Sequence, residues 1–187
     1  MKLFNVPIQF LSTIVNESFP TGGNFLEVGV ARGESTIGYG KLIKEKGGHL
    51  YLLDWFRGSF EDADHPTSPF YYNPEGVDEK QQCLIDNLTE AGIIDIVTII
   101  NGDSRIAWEH PPIKDLKFDI IFIDGGHTYD IVKLDIEHYF PLCKEGGRFL
   151  GHDYNQPDVA RAVQERFPGK HNVVWDADQG AQIWMVI

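Results

Sequence analysis

NFLEVGVARGESTIGYGKLIKEKGGHLYLLD, residues 24–54, reads as a complete strand–helix–strand unit, and the rest of the chain repeats its logic. Residues 24–30 are nearly continuous in apolar side chains, as a strand covered on both faces must be. Residues 34–46 carry a helical pattern that Gly47 and Gly48 end, and 49–54 form a second apolar run. A helix between two such strands makes them parallel neighbours. Further strands are expected at IVTIIN (96–101), FDIIFID (118–124) and GRFLGHD (147–153), with helices at 8–18, 77–91, 128–140 and 157–167. Pro7 and Pro157 fall where a first helical turn accepts proline. The final runs NVVWDA (172–177) and AQIWMVI (181–187) are separated by Asp178, Gln179 and Gly180 alone. No crossover helix fits there, so they form an antiparallel hairpin at one side of the sheet. The expected class is α/β: seven strands, mostly parallel, with helices on both faces.

Composition bounds the function. The chain has 187 residues, of which 42 % are hydrophobic and 12 % aromatic. That is one domain over 1–187 with a substantial core, and it excludes disordered, collagen-like and coiled-coil proteins. No apolar run reaches the roughly 18 residues that cross a bilayer. Residues 1–21 read as an N-terminal helix and make a poor signal peptide, being broken by Pro7 and the polar Gln9, Ser12 and Asn16. A net charge of −12 repels nucleic acid and anionic membranes, and no local basic patch offsets it. Cys83 and Cys143 lack zinc or redox spacing, which suits free thiols in a reducing cytoplasm. Lys41, Lys44 and Lys46 read as a solvated helix face.

One connection breaks the alternation. Residues 55–76, WFRGSFEDADHPTSPFYYNPEG, are long, proline-broken and rich in aromatic side chains. Such a segment reads as a lid or substrate loop.

In open parallel sheets, ligands bind beyond the carboxyl ends of the strands. The first strand ends in Glu27, Gly29, Gly33 and Ser35, an ExGxxxGxS pattern. Its glycines allow a tight turn and close backbone approach. The dinucleotide fingerprint GxGxxG is absent, since Ala31 stands at its second glycine, so an NAD-type oxidoreductase is the weaker alternative. Glu27 suits a ligand ammonium group. Asp54, ending the second strand, can accept both hydroxyls of a ribose. Asp103 and Ser104, after the third, can hold an adenine edge or cap the next helix. Three acids on three successive strand ends describe a nucleoside site without a phosphate.

The fourth and fifth strands end in Asp124 and in His152-Asp153. Neighbouring strand ends lie about 4.8 Å apart, so two carboxylates there call for a cation or for separation. A divalent ion answers this, with Asn155 as a further oxygen donor. Otherwise Asp124 caps the glycine turn and Asp153 a helix start. His127, three residues after Asp124, has the chemistry of a general base.

ExGxxxGxS, Asp54, the Gly-Asp-Ser at 102–104 and FDIIFIDGGHTYDIVKLDIEHYFPLCKEGGRFLGHDY (118–154) together resemble class I S-adenosylmethionine-dependent methyltransferases. The 118–154 block is similar to the branch of metal-dependent O-methyltransferases acting on small molecules and sugars. The resemblance spans about residues 22 to 187 and implies a Rossmann-like sheet in the order 3-2-1-4-5-7-6. It implies S-adenosylmethionine as cofactor, with Gly29 and Gly33 along the methionine portion and Glu27 at its amino end. Asp54 would serve the ribose, Asp103 and Ser104 the adenine, and Ser35, Trp55 and Asp124 would complete the set.

By the same resemblance Asp124, His152 and Asp153 would hold Mg²⁺ or Mn²⁺, and His127 would be the catalytic base beside Asp124. Histidine at 152 departs from the family's acid and favours softer ions than Mg²⁺. The implied acceptor is a small-molecule or glycan hydroxyl, with no nucleic acid or membrane partner, and a homodimer is compatible. The alternative of another class is a non-catalytic protein that binds the same nucleoside.

Overall fold

The computed structural model describes residues 8–57, 79–176 and 181–186. Helix α1 (Ile8–Ser18) precedes strand β1 (Asn24–Val28), then come α2 (Glu34–Glu45) and β2 (His49–Asp54). After them follow α3 (Glu79–Glu90), β3 (Val97–Asn101), the single-turn α4 (Ser104–Ala107), β4 (Phe118–Ile123) and α5 (Tyr129–Tyr139). The chain closes with β5 (Cys143–Gly151), α6 (Pro157–Arg166), β6 (His171–Asp176) and β7 (Ala181–Val186). The strands form one sheet in the order β3-β2-β1-β4-β5-β7-β6. The pairs among β1 to β5 are parallel, whereas β7 runs antiparallel to both β5 and β6, and the short link expected between the last two strands accounts for the β6–β7 pairing.

Period-two alternation sends side chains to two separate cores. Phe25, Leu50, Leu52, Ile120 and Phe122 face α1, α2 and α3, meeting Leu11, Tyr39, Ile43, Leu84 and Leu88. Leu26, Val28, Ile121, Ile123 and Phe149 face α5 and α6, meeting Val132, Ile136, Val159 and Val163. Both faces of the central strands are therefore dry. Truncating any such leucine or isoleucine to alanine costs about 2–5 kcal/mol.

Sequence and structure differ at element ends. β1 stops at Val28 because Gly29 turns to φ +85° and Ala31 to φ +50°, away from extended backbone. β5 begins four residues earlier than expected, at Cys143, across a register shift against β4 between Phe118 and Ile120. The lysines of α2 do more than solvate a face. Lys46 Nζ donates to the carbonyls of Val15, Asn16 and Phe19 and so closes the end of α1, while Lys44 pairs with Asp95. Residues 58–76 of the expected lid, and Pro7, lie outside the described residues. Among the described residues no helix is long and apolar enough to cross a membrane.

Candidate active site

The strand order reverses between β1 and β4, so their helices leave on opposite faces and a crevice opens at their carboxyl ends. A cavity of about 790 Å³ occupies it, a volume in the range of small-molecule sites. Its wall comes from the β1 turn (Gly29, Val30, Ala31, Ser35), the β2 end (Asp54, Trp55, Phe56), Gly102 and Ser104 after β3, and Asp124 to His127 after β4. Gly29 is indispensable to this closure. A Cβ on it would lie 2.3 Å from the Asp124 carbonyl oxygen, so β1 and β4 meet there backbone to backbone.

Asp54 organises the wall. Its Oδ2 accepts the N–H groups of Val30 and Ala31, both at 2.9 Å, and its Oδ1 accepts Phe56 N–H at 2.7 Å. Three of roughly four acceptor sites on the carboxylate are thus used by backbone. The consequence reaches further than Asp54. The amides that would cradle a phosphate after β1 are already hydrogen-bonded to an anion, which argues against a dinucleotide.

The structure does not bring three of the expected residues to the wall. Glu27 is 1 % exposed and turns beneath α2, where it accepts the hydroxyls of Thr36 and Tyr39. Burial, helped by the charges of Asp124 and Asp54, pushes its carboxyl up to about 8 against those two hydrogen bonds. Gly33, at φ +79°, packs against Leu84 of α3 from behind the turn. Asp103 is fully buried, caps α4 through Arg105 N–H at 2.9 Å and pairs with the Arg105 guanidinium. Of its two open readings, the cap is the one found.

The wall also includes residues outside the expected set. Glu79, Lys80 and Cys83, in the first turn and a half of α3, line the cavity. The signal was available: a helix that follows a long connection from the end of β2 begins at the ligand side of the sheet.

Asp124, His152 and Asp153 do come together, with one ligating atom from each within 4.8 Å of the others. His152 Nδ1 lies 3.2 Å from Asp124 Oδ1 and 3.0 Å from Asp153 Oδ2. His127 stands outside this triad, its Nε2 2.9 Å from Asp153 Oδ2, and reaches the cavity wall. Burial opposes charge on His152, but its hydrogen bonds to both carboxylates prevail and raise it to about 10. Burial alone would raise Asp153, yet the two imidazoles hold it well below the usual carboxylate range. Asp124 is raised, by burial first and by the nearby Asp153 charge, against the pull of His152. Asp153 itself sits at φ +55°, a left-handed conformation of the kind that collects at functional sites.

Known structures share this architecture. An O-methyltransferase from Bacillus cereus in complex with SAH superposes with a TM-score of 0.68, at 18 % identity over 97 % of this chain and 80 % of that one. A Staphylococcus aureus protein assigned as a caffeoyl-CoA O-methyltransferase gives 0.66, at 17 % identity over 97 % and 83 %. A Clostridium thermocellum protein assigned as an rRNA methylase gives 0.67, at 12 % identity over 96 % and 95 %. At such identities the likeness establishes the fold and leaves the acceptor open. A family described as "Methyltransferase domain" matches residues 26–154, well over half of the chain and all of the cavity wall. The chain belongs to this methyltransferase-domain family, and its class is that of the S-adenosylmethionine-dependent enzymes.

Proposed function

We propose that the protein transfers a methyl group from S-adenosylmethionine to a hydroxyl of a small-molecule or glycan acceptor, with a divalent ion at Asp124, His152 and Asp153. The observation that carries this reading is His127, poised at the wall of the cavity with its Nε2 held 2.9 Å from Asp153. A carboxylate beside an imidazole orients the ring and stabilises its protonated form, which fits His127 for proton removal.

The wall suits the cofactor. Asp54, Asp124 and Glu34 make it acidic, Trp55 and Phe56 make it aromatic, and both features favour a sulfonium cation. Gly29, Ser35, Asp54, Trp55, Ser104 and Asp124 are the residues we assign to it. Bound S-adenosylmethionine supplies an electrophilic methyl group. The triad suits a metal: its donor atoms are close enough to share one ion, and two oxygens with one imidazole nitrogen match Mn²⁺ better than Mg²⁺. Such an ion supplies Lewis acidity that lowers the pKa of an acceptor hydroxyl.

The protein's own part is positional and protolytic. Asp153 fixes the His127 ring, and His127 receives the acceptor proton. A net charge of −12 favours a compact acceptor over a polyanion.

Calorimetry on metal-stripped protein tests this, titrating SAH with and without Mn²⁺ and then assaying transfer to catechol and sugar hydroxyls. Saturable one-to-one SAH binding, a separate heat for the metal and metal-stimulated transfer are expected. A protein that does not bind SAH overturns the reading. Binding without any metal heat removes the ion from it.

A further inference from the structure

One face of α3 meets the glycine turn after β1. Lys80, Cys83, Leu84 and Asn87 follow the helical spacings i, i+3, i+4 and i+7, so they share that face. Lys80 and Cys83 line the cavity. Leu84 packs against Gly33, where a Cβ would lie 2.6 Å from its Cδ1. Asn87, one turn beyond Cys83, donates from Nδ2 to the Arg32 carbonyl at 3.0 Å, across 55 residues of chain. The same nitrogen stands 3.8 Å from Cys83 Sγ, so each of its two N–H groups has an acceptor.

The turn needs such a hold. Gly29, Ala31 and Gly33 stand at φ +85°, +50° and +79°. Ala31 carries a Cβ, so its left-handed backbone persists only where the surroundings fix it. Asp54 grips one side of this residue, through the N–H groups of Val30 and Ala31. Asn87 grips the other, through the Arg32 carbonyl. Val30, Ala31 and Arg32 all line the cavity, so a ligand there lies against backbone that is clamped at both ends. Helix propensity does not explain Asn87, because alanine serves the interior of a helix better. The contact with Arg32 does.

We propose that Asn87 is a positioning residue for the cofactor: from α3 it locks the Ala31–Gly33 turn in its binding shape before the ligand arrives. This rests on the reading of the cavity as the S-adenosylmethionine site. Asn87 itself stands outside the cavity wall and acts through the Arg32 backbone. A turn already fixed spares the complex the ordering cost that a loose turn would impose on binding.

Asn87→Ala and Asn87→Asp are compared with wild type by SAH calorimetry, by melts without ligand and by amide hydrogen exchange of the free proteins. Alanine removes the donor and improves the helix, whereas aspartate keeps the shape but sets an acceptor against the Arg32 carbonyl. Both variants are expected to bind SAH about three- to tenfold more weakly, the worth of one hydrogen bond. Asn87→Ala should melt close to wild type, since the gain in helix propensity offsets the lost bond. The Gly33 amide, bonded to the Val30 carbonyl at 2.9 Å within the turn, should exchange faster in both. A role confined to stability would lower melting and leave affinity unchanged. Affinity within about twofold of wild type in either variant, or Gly33 exchange as slow as in wild type, overturns the proposal. Wild-type protein that binds no SAH speaks against the cofactor reading instead, and the exchange comparison then still tests the hold on the turn.

Discussion

His127 and Asp153 meet across the ends of β4 and β5, Nε2 to Oδ2 at 2.9 Å, although 26 residues separate them in the chain (153 − 127). The contact fixes the ring at the cavity wall, and on the proposed reading His127 is the proton acceptor. Replacing His127 by alanine should lower kcat by about 10²–10⁴, the range for losing a general base. SAH affinity measured by calorimetry should barely move, because the residues we assign to the cofactor are others. Turnover equal to wild type would remove His127 from the mechanism.

Asp54 binds backbone before it binds any ligand. Asp54→Ala leaves the N–H groups of Val30, Ala31 and Phe56 without their acceptor; Ala31 is exposed and can turn to water, but Val30 and Phe56 are buried, where an orphaned N–H costs about 1–3 kcal/mol. The ligand-free protein should therefore melt lower than wild type. Asp54→Asn keeps one acceptor oxygen and should lose less. A residue that served only a ribose would show neither effect without ligand, so melts of the two variants in the absence of SAH decide the matter.

The elements were legible because parallel strands buried on both faces leave apolar runs that a sequence displays directly. Only three residues lie between the last two runs, and that alone turned β6 and β7 antiparallel. What escaped was what has no period. α4 is a single turn of four residues, and β5 starts in the polar Cys143–Gly147 segment, where a register shift rather than hydrophobicity sets the pairing. Glu27 is more instructive. It lies two residues from Phe25, hence on the same face of β1, and Phe25 packs against Tyr39 of α2. Alternation already pointed its carboxyl at the helix and away from the ligand. The Asp54 contacts could not be read so, since backbone N–H groups donate to a distant side chain without marking the sequence.

Gly29 offers a sharp contrast with Gly47. Both have positive φ, +85° and +65°. A side chain at Gly47 meets nothing within 4 Å, so Gly47→Ala should cost only the left-handed penalty of about 1–2 kcal/mol. A Cβ at Gly29 would lie 2.3 Å from the Asp124 carbonyl and 2.5 Å from Gly125 Cα, both backbone atoms that cannot step aside. Gly29→Ala should therefore force β1 and β4 apart, lowering stability by more than the Gly47 variant and abolishing SAH binding. Equal melting temperatures for the two variants would contradict the close approach of these strand ends.

Glu27 should make stability depend on pH in an unusual direction for a carboxylate. Burial raises it from 4.5 to about 8 in the folded protein, with the hydroxyls of Thr36 and Tyr39 opposing the shift. Between those two values the folded state holds a proton that the unfolded chain has released, so stability falls as pH rises. The contribution is complete below about 4.5 and is lost as pH passes through about 8. Asp135, raised to about 7 by burial, adds a smaller effect of the same sign. Glu27→Gln can still accept from Thr36 and Tyr39 but never ionises. Its melting temperature should therefore decline less steeply than that of wild type between about pH 5 and about pH 8, retaining the part due to the other raised groups, Asp135, Asp124 and His152. Parallel curves for the two proteins would mean that Glu27 ionises normally in the fold, and that its burial beneath α2 is looser than the two hydroxyl contacts imply.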